Sequence, residues 1–164
     1  MHTGSASGII PTGNLADMEA AMNVAAILAQ KGRDVITIPP HTTLAEATHV
    51  LAEHRIGAVV VAGRDADVVG VFSERDLVRA VARDGAGVLD QPVSSVMTRA
   101  LITSRSTTHI DTLMELMTEK RVRHIIIMDE GRMSGFVSIG DVVKRKIASA
   151  EAEAGALKAY IETA

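Results

Sequence analysis

The chain has no cysteine and no tryptophan, and its 164 residues include one tyrosine and two phenylalanines. Without cysteine there is no disulfide framework, no thiolate nucleophile and no thiolate metal site. The shortage of rings removes the stacking platforms that hold single-stranded nucleic acid. A formal net charge of −3 gives no global basic field for a phosphate backbone, which weighs against nucleic acid as a partner. No apolar run of about 18 residues is present to span a bilayer, and no charged-then-apolar leader carries a cleavage signal, so no membrane partner is expected. A cytoplasmic setting is the default expectation.

Enzymatic signatures are also missing. The six histidines, at positions 2, 41, 49, 54, 109 and 124, form no i, i+4 pair with an acidic ligand beside them, so no metal site is assigned. There is no Gly-x-Ser-x-Gly elbow, no Gly-x-x-x-x-Gly-Lys-Ser/Thr loop and no Gly-x-Gly-x-x-Gly turn. No catalytic residue and no catalytic cofactor is assigned either. Any nucleotide here is expected to be sensed rather than consumed.

What the chain does have is an internal repeat. Val69-Gly70-Val71-Phe72-Ser73-Glu74-Arg75-Asp76-Leu77-Val78 is answered by Ser134-Gly135-Phe136-Val137-Ser138-Ile139-Gly140-Asp141-Val142-Val143. In each copy a glycine opens an apolar strand, a serine closes it, and an aspartate follows in the first turn of a helix. The repeat runs backwards: Arg55 to Val61 matches Arg121 to Ile127, the helical stretch after Thr43 matches that after His109, and Val35-Ile36-Thr37 matches Leu101-Ile102-Thr103. Each unit reads strand, helix, strand, strand, helix. A unit of about fifty residues is at the lower edge of what buries a core alone, so two packed copies are the natural stable object. With 47% hydrophobic residues and a mean hydropathy of +0.21, that core is built from Val, Ile, Leu, Ala and Met.

The expected organisation is a disordered leader over 1–14, an amphipathic helix within 15–33, unit one at 34–83, a linker at 84–99, unit two at 100–148 and a helical extension at 149–164. Thr43-Leu44-Ala45-Glu46 has the form of a capping box. The runs Ala58 to Ala62 and Ile125 to Met128 predict strands buried on both faces. The Ala- and Glu-rich tail reads as a solvent-facing or dimer-supporting helix. Arg55 and Arg121 are expected to be structural, pairing at an edge or covering the core with their stems.

Two tandem units ending in Gly-h-h-Ser-x-x-Asp, each with an Arg-led apolar strand, resemble a CBS-domain pair, or Bateman module, of the stand-alone bacterial type. The resemblance covers about 34–146. It implies an α/β fold in which two pseudo-twofold-related units pack through their sheets around two clefts that bind adenosine ligands. Ionised Asp76 and Asp141 suit a ribose diol, because a carboxylate accepts from both hydroxyls. Ser73 and Ser138 supply hydroxyls beside helix N-terminal amides, where an anion is favoured. Val71 and Phe136 complete the strand side of the two sites. The resemblance places Ile102, Arg123 and His124 at the Asp76 site, and Asp34, Ile36, Ile56 and Gly57 at the Asp141 site. Arg75 in the first copy faces Gly140 in the second, so the cations are expected to collect around Asp76. Ser-x-x-Asp is also an ordinary helix cap; its recurrence in two matching units favours the binding role.

The expected function is a sensor of an adenine nucleotide, AMP first, with ADP, ATP or NAD(H) as further candidates. It would act as a homodimer of CBS pairs and in trans on a partner protein that the sequence does not identify. The alternative is a structural dimerisation module without a physiological ligand.

Overall fold

The computed structural model describes residues 15–164. The leader expected over 1–14 lies outside the described residues. Two helices open the structure, α1 at Leu15–Ala21 and α2 at Val24–Lys31, where the sequence predicts one. The break is chemical. Asn23 adopts an extended backbone and its side chain accepts from Ala26 N–H at 3.1 Å, restarting the helix as an N-cap.

Unit one contains β1 (Thr37–Ile38), α3 (Leu44–His54), β2 (Ala58–Ala62), β3 (Val68–Ser73) and α4 (Glu74–Asp84). Unit two repeats it with β4 (Thr103–Ser104), α5 (Ile110–Lys120), β5 (His124–Asp129), β6 (Arg132–Ser138) and α6 (Ile139–Thr163). Each sheet has the leading strand parallel to the central one and the hairpin partner antiparallel. The leading strands begin two residues later than the sequence suggests, because only Thr37–Ile38 and Thr103–Ser104 pair along the central strands. Thr43 and Glu46 form the expected capping box at α3. Both α3 and α5 end at an arginine with φ of 54°, Arg55 and Arg121. These two residues terminate helices in the left-handed conformation, where glycine is usual, rather than pairing at an edge.

Along β2 and β5 alternate residues face opposite ways. Val59 and Val61 enter the core of unit one, and Ile125 and Ile127 that of unit two. Ala58, Val60 and Ile126 on the opposite faces are also buried, outside both core clusters.

The segments outside the repeats are not passive. Residues 84–99, expected to be a linker, form 3₁₀ turns at Ala86–Asp90 and Val93–Ser95 and bury Val88, Val93 and Met97 in the core of unit one. Helix α2 buries Val24, Ile27 and Leu28 in the core of unit two, not in the unit that follows it. The two attachments are related by the same pseudo-symmetry. Val93 N–H donates to Thr42 O at 2.7 Å and Val24 N–H to Thr108 O at 2.9 Å. Met97 then covers Gly70, and Leu28 covers Gly135.

Candidate functional site

Where β3 turns into α4, Ser73 caps the helix. Its N–H and its hydroxyl each donate to Asp76 Oδ2 at 2.8 Å, and Asp76 N–H donates back to Ser73 Oγ at 3.3 Å. Thr98 Oγ1 donates to the other carboxylate oxygen, Oδ1, at 3.3 Å. The capping pattern and a ligand role coexist here, since the longer Thr98 contact leaves Oδ1 the more available acceptor. At the start of α6 the same box recurs, with Ser138 N–H donating to Asp141 Oδ2 at 2.9 Å. Glu74 N–H donates to Gly57 O and Ile139 N–H to Arg123 O, so each helix start is tied to the turn before its sheet's central strand.

Asp76 opens onto a cavity of about 450 Å³ that joins the two units. That volume lies in the range of small-molecule sites. Unit one contributes Gly57, Val71, Ser73, Glu74, Arg75, Asp76 and Arg79, and unit two Ile102, Arg121, Arg123, His124, Ile126 and Ile139. Thr98 lines it from the segment between them, and Ala100 and Leu101 from the start of unit two. Every residue expected at the Asp76 site is therefore present: Val71, Ser73, Arg75, Asp76, Ile102, Arg123 and His124.

The charge arrangement is richer than the sequence reading. Four arginines, Arg75, Arg79, Arg121 and Arg123, line the cavity together with the acidic Asp76 and Glu74. None of the four arginines has an ion pair among the described residues. Unpaired guanidinium groups gathered on one cavity are suited to an anion. Arg79 lies one turn after Arg75 on α4 and was legible by spacing; Arg121 was assigned a structural role only. Thr98 and Ala100 had no local signal, since the fold alone brings them to Val71 and Asp76.

His124 corrects the expected electrostatics. Burial pushes its imidazole down from 6.5 to about 4, helped by Lys31 and Arg123 and partly offset by Asp141. It is neutral near pH 7 and adds no cation to the cavity. Its ring stacks on Phe136, with centroids 5.4 Å apart, so it also touches the second unit's strand. Gly57 is corrected as well. Expected at the Asp141 cleft, it lines the Asp76 cavity, and a Cβ there would stand 3.7 Å from His124 Cε1.

Around Asp141 the geometry differs. Lys31 Nζ donates to Asp141 Oδ2 at 2.6 Å and to Phe136 O at 2.8 Å. Burial opposes ionisation of Asp141, and the hydrogen bonds from Lys31 and Ser138 outweigh it, holding the carboxyl below its usual range. By the pseudo-symmetry that equates Val24 with Val93 and Leu28 with Met97, Lys31 stands in the place of Ala100. A methyl group lines the Asp76 cavity at this place, and at the other cleft an ammonium is hydrogen-bonded to the aspartate. Phe136, Ser138, Gly140, Asp141, Asp34, Ile36 and Ile56 do not line the Asp76 cavity; Ile36 and Ile56 pack on the core of unit one. Lys31 is the participant that sequence reasoning missed.

Two matching α/β units joined at an interfacial cavity define a tandem-repeat α/β module. The CBS domain family model matches residues 28–83 and 93–147, and the chain belongs to that family. The CBS-domain containing protein ATU1752 of Agrobacterium tumefaciens is 47% identical, with a TM-score of 0.75 over 77% of this chain and 94% of that one. The CBS domain protein PAE2072 of Pyrobaculum aerophilum, complexed with AMP, is 30% identical, with a TM-score of 0.64 over 73% of this chain and 88% of that one. A mitochondrial CBS domain-containing protein of Arabidopsis thaliana, CBSX3, is 35% identical over 73% of this chain, which spans 60% of that protein's length. No helix among the described residues is long and apolar enough to cross a membrane.

Proposed function

We propose that the Asp76 cavity binds an adenosine phosphate, AMP first, and that the chain works as a nucleotide sensor rather than an enzyme. The observation that carries the reading is the cavity itself, whose wall brings together Asp76, Glu74 and four arginines from both units that form no ion pair among the described residues. Asp76 Oδ1 would accept from the ribose diol, the arginines would hold the phosphate, and the backbone of residues 100–102 with Ile126 would border the base. The AMP complex of the 30% identical Pyrobaculum protein supports the ligand class. The comparisons lend no support to NAD(H).

A ligand gripped by both units favours arrangements that keep them at the right separation, which is how differential affinity becomes a signal. The readout is proposed to reach a separate partner protein through a homodimer. Val78 and Val81 on α4 and Val143 and Ile147 on α6 are exposed apolar residues, Val78 and Val143 at the same place in the two units, and they support pairing of two copies side by side.

Adenine selectivity tests the reading. A pocket that reads base edges leaves buried polar groups unpaired when the edge is inverted, at about 1–3 kcal/mol each. AMP should bind at least about tenfold more tightly than GMP in calorimetry. Equal affinities would overturn the adenine assignment, and no thermal stabilisation by any adenine nucleotide would favour the purely structural dimerisation module.

A further inference from the structure

Helix α6 continues well past the part that covers unit two. Its inner face contributes Val142 to the core, and every residue from Ala150 onwards is exposed. The projecting part lies beyond the residues matched by the family model. From Ala150 to the helix end at Thr163, about 14 residues at 1.5 Å each extend it by about 21 Å. A lone helix of that length is marginal in water, so a stable one needs a packed face.

The outward face supplies one. Val143, Ile147, Ala150, Ala154, Leu157 and Ile161 follow one another at spacings of 4, 3, 4, 3 and 4 residues. That is the a/d seam of a two-stranded coiled coil. Val143, Ile147, Leu157 and Ile161 are all exposed large hydrophobic residues. The flanking e and g positions are charged at Lys144, Lys146, Glu151, Glu153 and Lys158, with Tyr160 at the last g position. In a parallel, in-register pair, Lys146 of one copy faces Glu151 of the other, and Glu153 faces Lys158. An antiparallel pair with full overlap would set Glu151 against Glu151, Glu153 against Glu153 and Lys144 against Lys158. Like charges therefore oppose that orientation. Lys146 is also held by Asp111 at 2.8 Å in its own chain, which leaves Glu153 and Lys158 as the freer pair.

We propose that the projecting end of α6 pairs with the same segment of a second copy as a parallel, in-register coiled coil. This deepens the homodimer reading and rests on it, because the seam starts at the same Val143 and Ile147.

The absence of cysteine makes a clean test. Leu157→Cys puts a thiol on the seam, where parallel partners bring like positions within the roughly 4.4–6.8 Å between Cα atoms that a disulfide needs. Ala152→Cys puts one on the outer face, too far from its counterpart to bridge. Mild oxidation should link more than about half of the Leu157→Cys chains and under about a tenth of the Ala152→Cys chains, scored on a non-reducing gel against that geometric limit. Glu153→Lys should weaken association about three- to fivefold, and adding Lys158→Glu should restore it, as expected for modest exposed pairs. If Leu157→Cys links no better than Ala152→Cys while light scattering still gives a dimer, the coiled coil is wrong and the homodimer stands. A monomer by light scattering would remove both.

Discussion

A histidine in water is half-protonated near pH 6.5, whereas burial beside Lys31 and Arg123 takes His124 down to about 4. The unfolded chain binds this proton below its ordinary pKa and the native chain does not. Stability is therefore lost as the pH falls from about 6.5 toward 4, and the loss from this group levels off below that. Between pH 7 and pH 5 it amounts to about 2 kcal/mol. Urea midpoints at the two pH values should show that loss in the wild type and much less of it in His124→Gln. An unchanged loss in the variant would mean that the imidazole is not desolvated as described. At this scale the repeat singled out Ser73, Arg75 and Asp76, because each sits at a named place in a recurring pattern, and the family resemblance added Arg123. The repeat could not reveal that His124 is neutral, since residue type gives a charge only in water. Nor could it separate Arg121 as helix terminus from Arg121 as cavity wall, because it is both.

At the scale of elements, the strands and the unit helices were readable from apolar runs, caps and the repeat. The attachment of α2 to unit two was not. Contacts between Leu28 and Gly135, or between Lys31 and Asp141, join segments more than a hundred residues apart and leave no local trace in the sequence. The glycine makes the packing testable. A Cβ at Gly135 would stand 2.5 Å from Leu28 Cδ2, while one at Gly140 would meet nothing closer than Ser138 Oγ at 3.6 Å. Gly135→Ala should cost about 1–3 kcal/mol by overpacking. Gly140→Ala, inside a helix, should stabilise by about 0.5–1 kcal/mol. Equal urea midpoints for the two variants would contradict the α2 packing. The Lys31–Asp141 pair is partly exposed, with side chains 40% and 24% accessible, so Lys31→Ala should cost under about 1 kcal/mol. It should also free the Asp141 carboxylate. Calorimetry on Lys31→Ala is expected to show AMP stoichiometry rising from one toward two per chain. A value fixed at one would show that the second cleft is closed by more than the lysine.

For the molecule as a whole, two similar units have become two unlike clefts. One joins the units around Asp76 with four arginines in its wall, and at the other Asp141 is held by the ammonium of Lys31. Under the proposed function, one ligand at the Asp76 cavity is reported through the separation of the two halves. The most direct measurement is calorimetric titration of AMP into the wild type, Asp76→Ala and Asp141→Ala. One equivalent should bind per wild-type chain. Asp76→Ala should weaken it by at least about tenfold, because a charge-assisted ribose contact is lost, and Asp141→Ala should leave affinity within about twofold, a difference under about 0.5 kcal/mol. Loss of binding in Asp141→Ala with Asp76→Ala unaffected, or no change in either variant, would contradict the account.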